Sequence, residues 1–313
     1  MRKTYILATV IIALLFLAAC DDFTGPERWT EGPYIAITGN LHEGEPITLD
    51  KPIFIGRTVS ASGGDLDDMF IFDAEVYIRD LTPGVDNSAD SLEFAVDIEN
   101  FKIGFIDPDQ SLIPQTHHRY RLVARIPGVA DSIWAETIVP DPVSFVPDSA
   151  FTLDPEPAVW PELYWEDANI DHPLKIEAVD DSVCYMYFRF YCLEEYEDHP
   201  KYTMTFMTDD EHPTDPDDYE NPGSGWPRKT DWTYRYQPQY DPTDGGYYIL
   251  DRGYKANIWF YGRYELTAYN IDENYYKYLY KPEGYRHGGI NNGVGWFGSV
   301  SGDKIYTKVV EDE

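Results

Sequence analysis

Three groups of residues have types and spacing suited to chemistry. The first is Leu17-Ala18-Ala19-Cys20. Small side chains at 18 and 19 suit a signal peptidase, and only a cysteine thiol can carry the diacylglycerol thioether that precedes cleavage of a bacterial lipoprotein precursor. Arg2 and Lys3 supply a basic start and Tyr5 to Leu17 is almost wholly apolar, so Cys20 is the expected lipid attachment site and the first residue of the mature chain. Tyr5 to Ala19 is 15 residues, short of the roughly 20 a spanning helix needs. Acyl chains at one terminus, more than a single one, hold a protein firmly on a bilayer.

The second group is the acidic stretch 208–223, with Asp209, Asp210, Glu211, Asp215, Asp217, Asp218 and Glu220. Calcium takes six to eight oxygens from such loops, which makes Asp215, Asp217, Asp218 and Glu220 its candidate ligands. They lack the central glycine and twelve-residue frame of an EF-hand, and a solvated acidic loop is the favoured reading over a calcium site. The third group is Trp226, Trp232, Tyr234, Tyr236 and Tyr240. Exposed together they would stack on sugar rings or meet a protein partner; a strand burying one aromatic face accounts for the same spacing.

No pattern of a catalytic site stands beside these. With 56 acidic residues in the chain, a pair at glycosidase separation carries no information. There is no Gly-x-Ser-x-Gly elbow, His-Glu-x-x-His helix or phosphate loop. His117-His118 precedes a strand and reads as polar surface or a metal pair, and no His or Cys cluster has zinc spacing. Catalytic residues are therefore expected to be none, and no cofactor is expected beyond calcium. The formal net charge of −32 repels nucleic acid and anionic headgroups, leaving the acyl anchor as the expected membrane contact.

The elements that must position these groups are strands. The chain divides into a leader (1–19), an acylated tether (20–33), a β-sandwich (34–140), a proline-rich connector (141–161) and a β-rich C-terminal unit (162–313). Within the sandwich Phe72, Ala74, Val76 and Ile78 alternate with polar residues, as do Leu92, Phe94, Val96 and Ile98, and Tyr120, Leu122, Ala124 and Ile126. Each predicts a strand with one face in a core. Further strands are expected at 174–178, 183–193, 202–207, 232–237, 246–250, 256–268 and 304–310, with a glycine-rich loop at 288–298. One short helix is expected at 273–279, with Asp272 as its cap and Lys281-Pro282 ending it. Cys184 and Cys192 lie eight residues apart on one extended run, about 26 Å, too far for a disulfide, and read as buried thiols. The fold class is mainly β, an immunoglobulin-like or transthyretin-like sandwich plus a second β-rich unit.

Several of these residues resemble a family of surface lipoproteins of unknown function from Gram-negative bacteria of the Bacteroidetes type. The likeness rests on Cys20, the strand Ala74-x-Val76-x-Ile78, Tyr120-x-Leu122-x-Ala124-x-x-Pro127-Gly128, and Ala135-x-Thr137-x-Val139-Pro140. Ile290 to Gly298 resembles the family's closing Asn-x-x-x-Gly-x-Gly-x-Phe-Gly signature, with Trp296 in place of an aliphatic residue and a long acidic insertion at 208–223. The resemblance implies a place in the outer membrane, on its periplasmic or surface face, beside a TonB-dependent transporter. The expected function is non-catalytic binding at the cell envelope as an accessory to uptake; the alternative is a carbohydrate-binding module or an enzyme acting on an extracellular polymer, which aromatic side chains over a cleft would favour.

Overall fold

The computed structural model describes residues 34–58, 69–99, 102–168, 171–177, 186–194, 203, 229–230, 239–241, 247–250, 254–280 and 287–311. Among the described residues sixteen strands form three sheets with one α-helix. The fold is β-rich, as the period-two patterning requires.

The five-stranded sheet comprises β3 (Glu75–Asp80), β4 (Ala89–Asp97), β5 (Lys102–Ile106), β6 (Arg119–Arg125) and β7 (Ile133–Ile138), in the order β5-β4-β3-β6-β7. Val76, Ile78, Leu92, Tyr120, Leu122, Ala124 and Ala135 turn one face inward. The layer they meet is not local. It is part of a seven-stranded sheet ordered β12-β11-β15-β16-β1-β2, built from β1 (Ile35–His42), β2 (Phe54–Arg57), β11 (Met186–Cys192), β12 (Lys229–Thr230), β15 (Gly262–Ile271) and β16 (Val294–Val310), with β9 (Glu162–Tyr164) paired to the end of β16. β1 runs parallel to the first half of β16, from Ala36 opposite Val294 to His42 opposite Val300. Ile37, Leu41, Ile55 and Phe297 fill one core with the five-stranded sheet, each contributing roughly 1.5–3 kcal/mol by its burial. The strands expected in separate units at 34–140 and 162–313 therefore share a sheet.

A four-stranded sheet of β8 (Ser144–Phe145), β10 (Leu174–Glu177), β13 (Gln239–Asp241) and β14 (Tyr247–Leu250), ordered β13-β14-β10-β8, covers the other half of the same face. Its core takes Phe188 and Phe190 from β11, Leu266 and Ala268 from β15, and Val143, Phe145, Ala150 and Phe151 from the proline-rich segment. That segment was expected to be an extended connector; its apolar residues between the prolines are packed into the core instead. Cys192 brings a buried thiol to this core beside Tyr264, while Cys184 lies outside the described residues.

Other expectations shift for physical reasons. Val96 and Ile98 alternate as a core strand should, yet are 51% and 79% exposed; β4 ends at Asp97, so Ile98 already lies in the turn that follows. The stretch 256–268 begins with a 3-10 turn at Lys255–Asn257, and its strand starts at Gly262. The glycine-rich 288–298 is strand from Val294 onward, because its glycines permit close parallel pairing with β1. The helix α1 (Glu273–Tyr280) forms where expected, with Asp272 accepting hydrogen bonds from the backbone N–H groups of Tyr275 and Asn274 at 3.1 and 3.2 Å. Among the described residues no helix is long and apolar enough to cross a membrane.

Candidate functional site

Strand register builds the site. Because side chains alternate across a strand, the residues of β1, β11, β15 and β16 that do not face the two cores all point to the opposite face of the large sheet. Thr38 pairs with Trp296, Asn40 with Gly298, and His42 with Val300. Tyr269 pairs with Gly302 and Thr267 with Lys304; Tyr187 pairs with Tyr269 and Arg189 with Thr267. One face thus carries Thr38, Asn40, His42, Tyr187, Arg189, Tyr191, Tyr269 and Trp296 side by side, and at Gly298 the space a side chain would take is filled by Asp272, Asn40 and Tyr275. The side chain of Tyr275 on α1 and residues 50–52 and Lys102 rise as walls, enclosing an open cleft of about 860 Å³. A smaller hollow of about 360 Å³, lined by Glu43, Glu45, Lys304 and Tyr306, adjoins it at His42 and Tyr269.

The rings of the cleft form an unbroken series. Tyr278 lies 4.8 Å from Trp296, Trp296 stacks on Tyr275 at 5.8 Å, Tyr275 is 6.4 Å from Tyr187, Tyr187 is 6.1 Å from Tyr269, and Tyr269 meets the edge of His42 at 5.5 Å. These spacings are those of favourable aromatic pairs, so the wall is held by its own packing.

Polar atoms are set among the rings without satisfaction. Among the described residues Asn40 Oδ1, His42 Nδ1 and Trp296 Nε1 are buried and have no hydrogen-bond partner, and all three residues line the cleft. Trp165 Nε1 and Ser301 Oγ, likewise unpartnered, belong to residues outside its lining. Buried polar atoms are nearly always hydrogen-bonded, each orphan costing about 1–3 kcal/mol. Three such atoms in one cleft make it the candidate binding site.

The field in the cleft runs against that of the whole chain. Burial first, then the charges of Lys51, Arg189 and Lys304, push the His42 pKa from 6.5 down to about 3. Lys51 pairs with Glu45 and Lys102 with Asp50, the latter hydrogen bond raising the Lys102 pKa. The Arg189 guanidinium lies 4.9 Å from the Tyr191 ring centre. A folded pKa below the unfolded one means that the unfolded chain takes up a proton at His42 as pH falls below about 6.5 while the folded chain does not. This share of stability is present above pH 6.5 and lost towards pH 3, at about 1.4 kcal/mol per pH unit. His42→Gln should therefore flatten the acid side of the stability curve, with denaturant melts at pH 7 and pH 4.5 differing by about 2–3 kcal/mol less than in the wild type. Equal pH dependence in both proteins would show that His42 is not held neutral.

Cys20, Asp215, Asp217, Asp218, Glu220, Trp226, Trp232, Tyr234 and Tyr236 lie outside the described residues, and Tyr240 is in β13. His117 and His118 do not converge on a metal: His117 Nε2 is 2.7 Å from Asp141 and His118 Nδ1 is 2.7 Å from Asp80. No group of three or more metal-ligating side chains is found among the described residues. What sequence reasoning missed is the cleft itself. Its one signal was Tyr187-x-Arg189-x-Tyr191, aromatic and cationic residues on the strand face that ordinarily meets water. Comparison with protein-family models, curated proteins and solved structures found no match to this chain.

Proposed function

We propose that the protein is a non-catalytic, lipid-anchored binding protein of the cell envelope, an accessory to an outer-membrane uptake system, and that it holds a saccharide in the cleft on the large sheet. The observation that carries the reading is the set of orphaned polar atoms, Asn40 Oδ1, His42 Nδ1 and Trp296 Nε1, among a continuous series of rings. Sugar rings pair an apolar face with hydroxyls that both donate and accept, and this cleft offers the complement of both. The volume of about 860 Å³ is of the size of a ligand site. Anchoring rests on the leader ending at Cys20, and the tie to uptake rests on the resemblance of Ile290–Gly298 and the N-terminal strands to surface lipoproteins. The non-catalytic role rests on the sequence, in which no motif of a catalytic site is found.

One experiment tests anchor and cleft together. The Cys20→Ser protein should leave the detergent phase on partitioning and, now soluble, should be retarded in native gels cast with polysaccharide. Trp296→Ala in that background should abolish the retardation while the far-ultraviolet circular dichroism is kept. A Cys20→Ser protein that stays in detergent removes the anchor; retardation by no polysaccharide, or retardation untouched by Trp296→Ala, removes the cleft.

A further inference from the structure

We infer that the saccharide this cleft takes is an acidic one, carrying a carboxylate or a sulfate that meets Lys51, Lys102 and Arg189 while its ring lies against the aromatic series. The inference rests on the cleft being the binding site, as proposed above, and adds the charge of its ligand.

Charge placement carries the argument. The chain bears 56 acidic and 24 basic residues, yet among the described residues the cleft lining holds Lys51, Lys102 and Arg189 against the one carboxylate of Asp50. A surface this acidic would scatter carboxylates through any patch chosen at random. Keeping them out of one aromatic cleft, and gathering cations there, is a local reversal that favours an anion.

The cations can also change partner at little cost. The Asp50 side chain is 72% exposed and the Glu45 side chain 46% exposed, so both regain water when displaced, and exposed ion pairs contribute little to folding. A ligand acid group can therefore replace Asp50 at Lys102 and Glu45 at Lys51 without leaving a buried charge behind. Arg189 lies over the Tyr191 ring, which fixes where its charge stands in the cleft. The hydroxyls of the same sugar supply partners to Asn40 Oδ1, His42 Nδ1 and Trp296 Nε1, which no protein atom satisfies.

The overall charge makes the test clean. A protein of net charge −32 repels polyanions, so attraction to an acidic saccharide must arise locally. The soluble Cys20→Ser protein is titrated, by calorimetry and tryptophan fluorescence, with a galacturonate hexasaccharide, a chondroitin sulfate hexasaccharide, and the neutral maltohexaose and cellohexaose. At least one acidic probe should bind ten-fold or more tightly than either neutral one, and its affinity should fall as salt rises from 50 to 500 mM. Which acidic probe wins assigns the acid as carboxylate or sulfate. The Lys51→Gln, Lys102→Gln double variant should lose ten-fold or more in affinity for that probe, a larger loss than it shows for the neutral sugars; Trp296→Ala should weaken every sugar. Neutral probes that bind as tightly as acidic ones, with the lysine variant unaffected, would overturn the acidic ligand and leave the saccharide cleft standing. If none of the four probes binds, both readings fall. Acidic binding that survives both the lysine and the Trp296 changes lies elsewhere on the protein and overturns the assignment to this cleft.

Discussion

Asp272→Ala should lower stability by about 3–5 kcal/mol, roughly 10 °C in melting temperature for a chain of this size. The Asp272 carboxylate is buried at the junction of three elements. It accepts hydrogen bonds from the backbone N–H groups of Tyr275 and Asn274 in the first turn of α1, from the N–H of Ser299 on β16 at 3.2 Å, and from the Thr137 hydroxyl on β7 at 2.9 Å. Alanine removes the helix cap and strands several buried donors at once, where a single cap deletion typically costs about 1 kcal/mol. Helix α1 also carries Tyr275 and Tyr278 onto Trp296, so the loss should reach the cleft. Thermal melts give the size of the effect, and a shift under 2 °C would show that neighbouring water or rearrangement replaces the carboxylate.

The same residue separates two opposing pH effects. Burial outweighs the four donors and raises the Asp272 pKa from 3.8 to about 6. A folded pKa above the unfolded one contributes stability that is fully present below pH 3.8 and is lost as pH rises through 6, about 3 kcal/mol in all. His42 acts in the reverse sense, its contribution falling as pH drops below 6.5. Between about pH 4 and 6 the two slopes offset each other. Asp272→Asn keeps a capping oxygen without the ionisable group, so it should unmask the His42 slope and make the variant more acid-sensitive than the wild type. Parallel curves for the two proteins would refute the raised pKa.

Much of the strand content was legible because alternation is local. Tyr120, Leu122, Ala124 and Ile126 announce a buried face, and that face is buried; Asp272 announces a helix start, and the helix starts there. Alternation says which side chains share a face, but not whether that face is covered along its whole length, so Val96 and Ile98 could not be told from core residues. The connector misled for a related reason: proline excludes helix and interior strand but does not prevent Val143, Phe145 and Phe151 between the prolines from packing. The cleft was least legible. Asn40 and His42 sit at positions that ordinarily face water, and Trp296 sits in a glycine-rich run near the other end of the chain. Only the parallel register of β1 on β16 brings them together, and a register between distant strands leaves no local trace.

That register rests on Gly295, and Gly295→Val should cost more than 4 kcal/mol, a loss comparable to the whole stability of a marginal domain. Its backbone has φ +104°, a region side chains rarely adopt, and a Cβ there would lie 2.0 Å from the carbonyl oxygen of Ile37. The obstacle is the backbone of β1 itself, which cannot swing aside as a flexible side chain can. β1 would have to leave β16, taking Ile37 and Leu41 out of the core they share with Phe297 and the five-stranded sheet. Gly128 supplies the control: its φ is +81°, but nothing lies within 4 Å of the Cβ position, so Gly128→Ala should cost about 1–2 kcal/mol from backbone strain alone. Gly295→Ala should exceed it by the clash, and Gly295→Val should yield a protein that is largely unfolded or insoluble. Chemical denaturation of Gly128→Ala and Gly295→Ala, with the soluble yield of Gly295→Val, distinguishes strain from contact. Equal losses for the two alanine variants would mean that β1 can yield to the new methyl group. In that case the glycine would serve only its backbone angle, and the parallel pairing would tolerate a wider spacing than the native one.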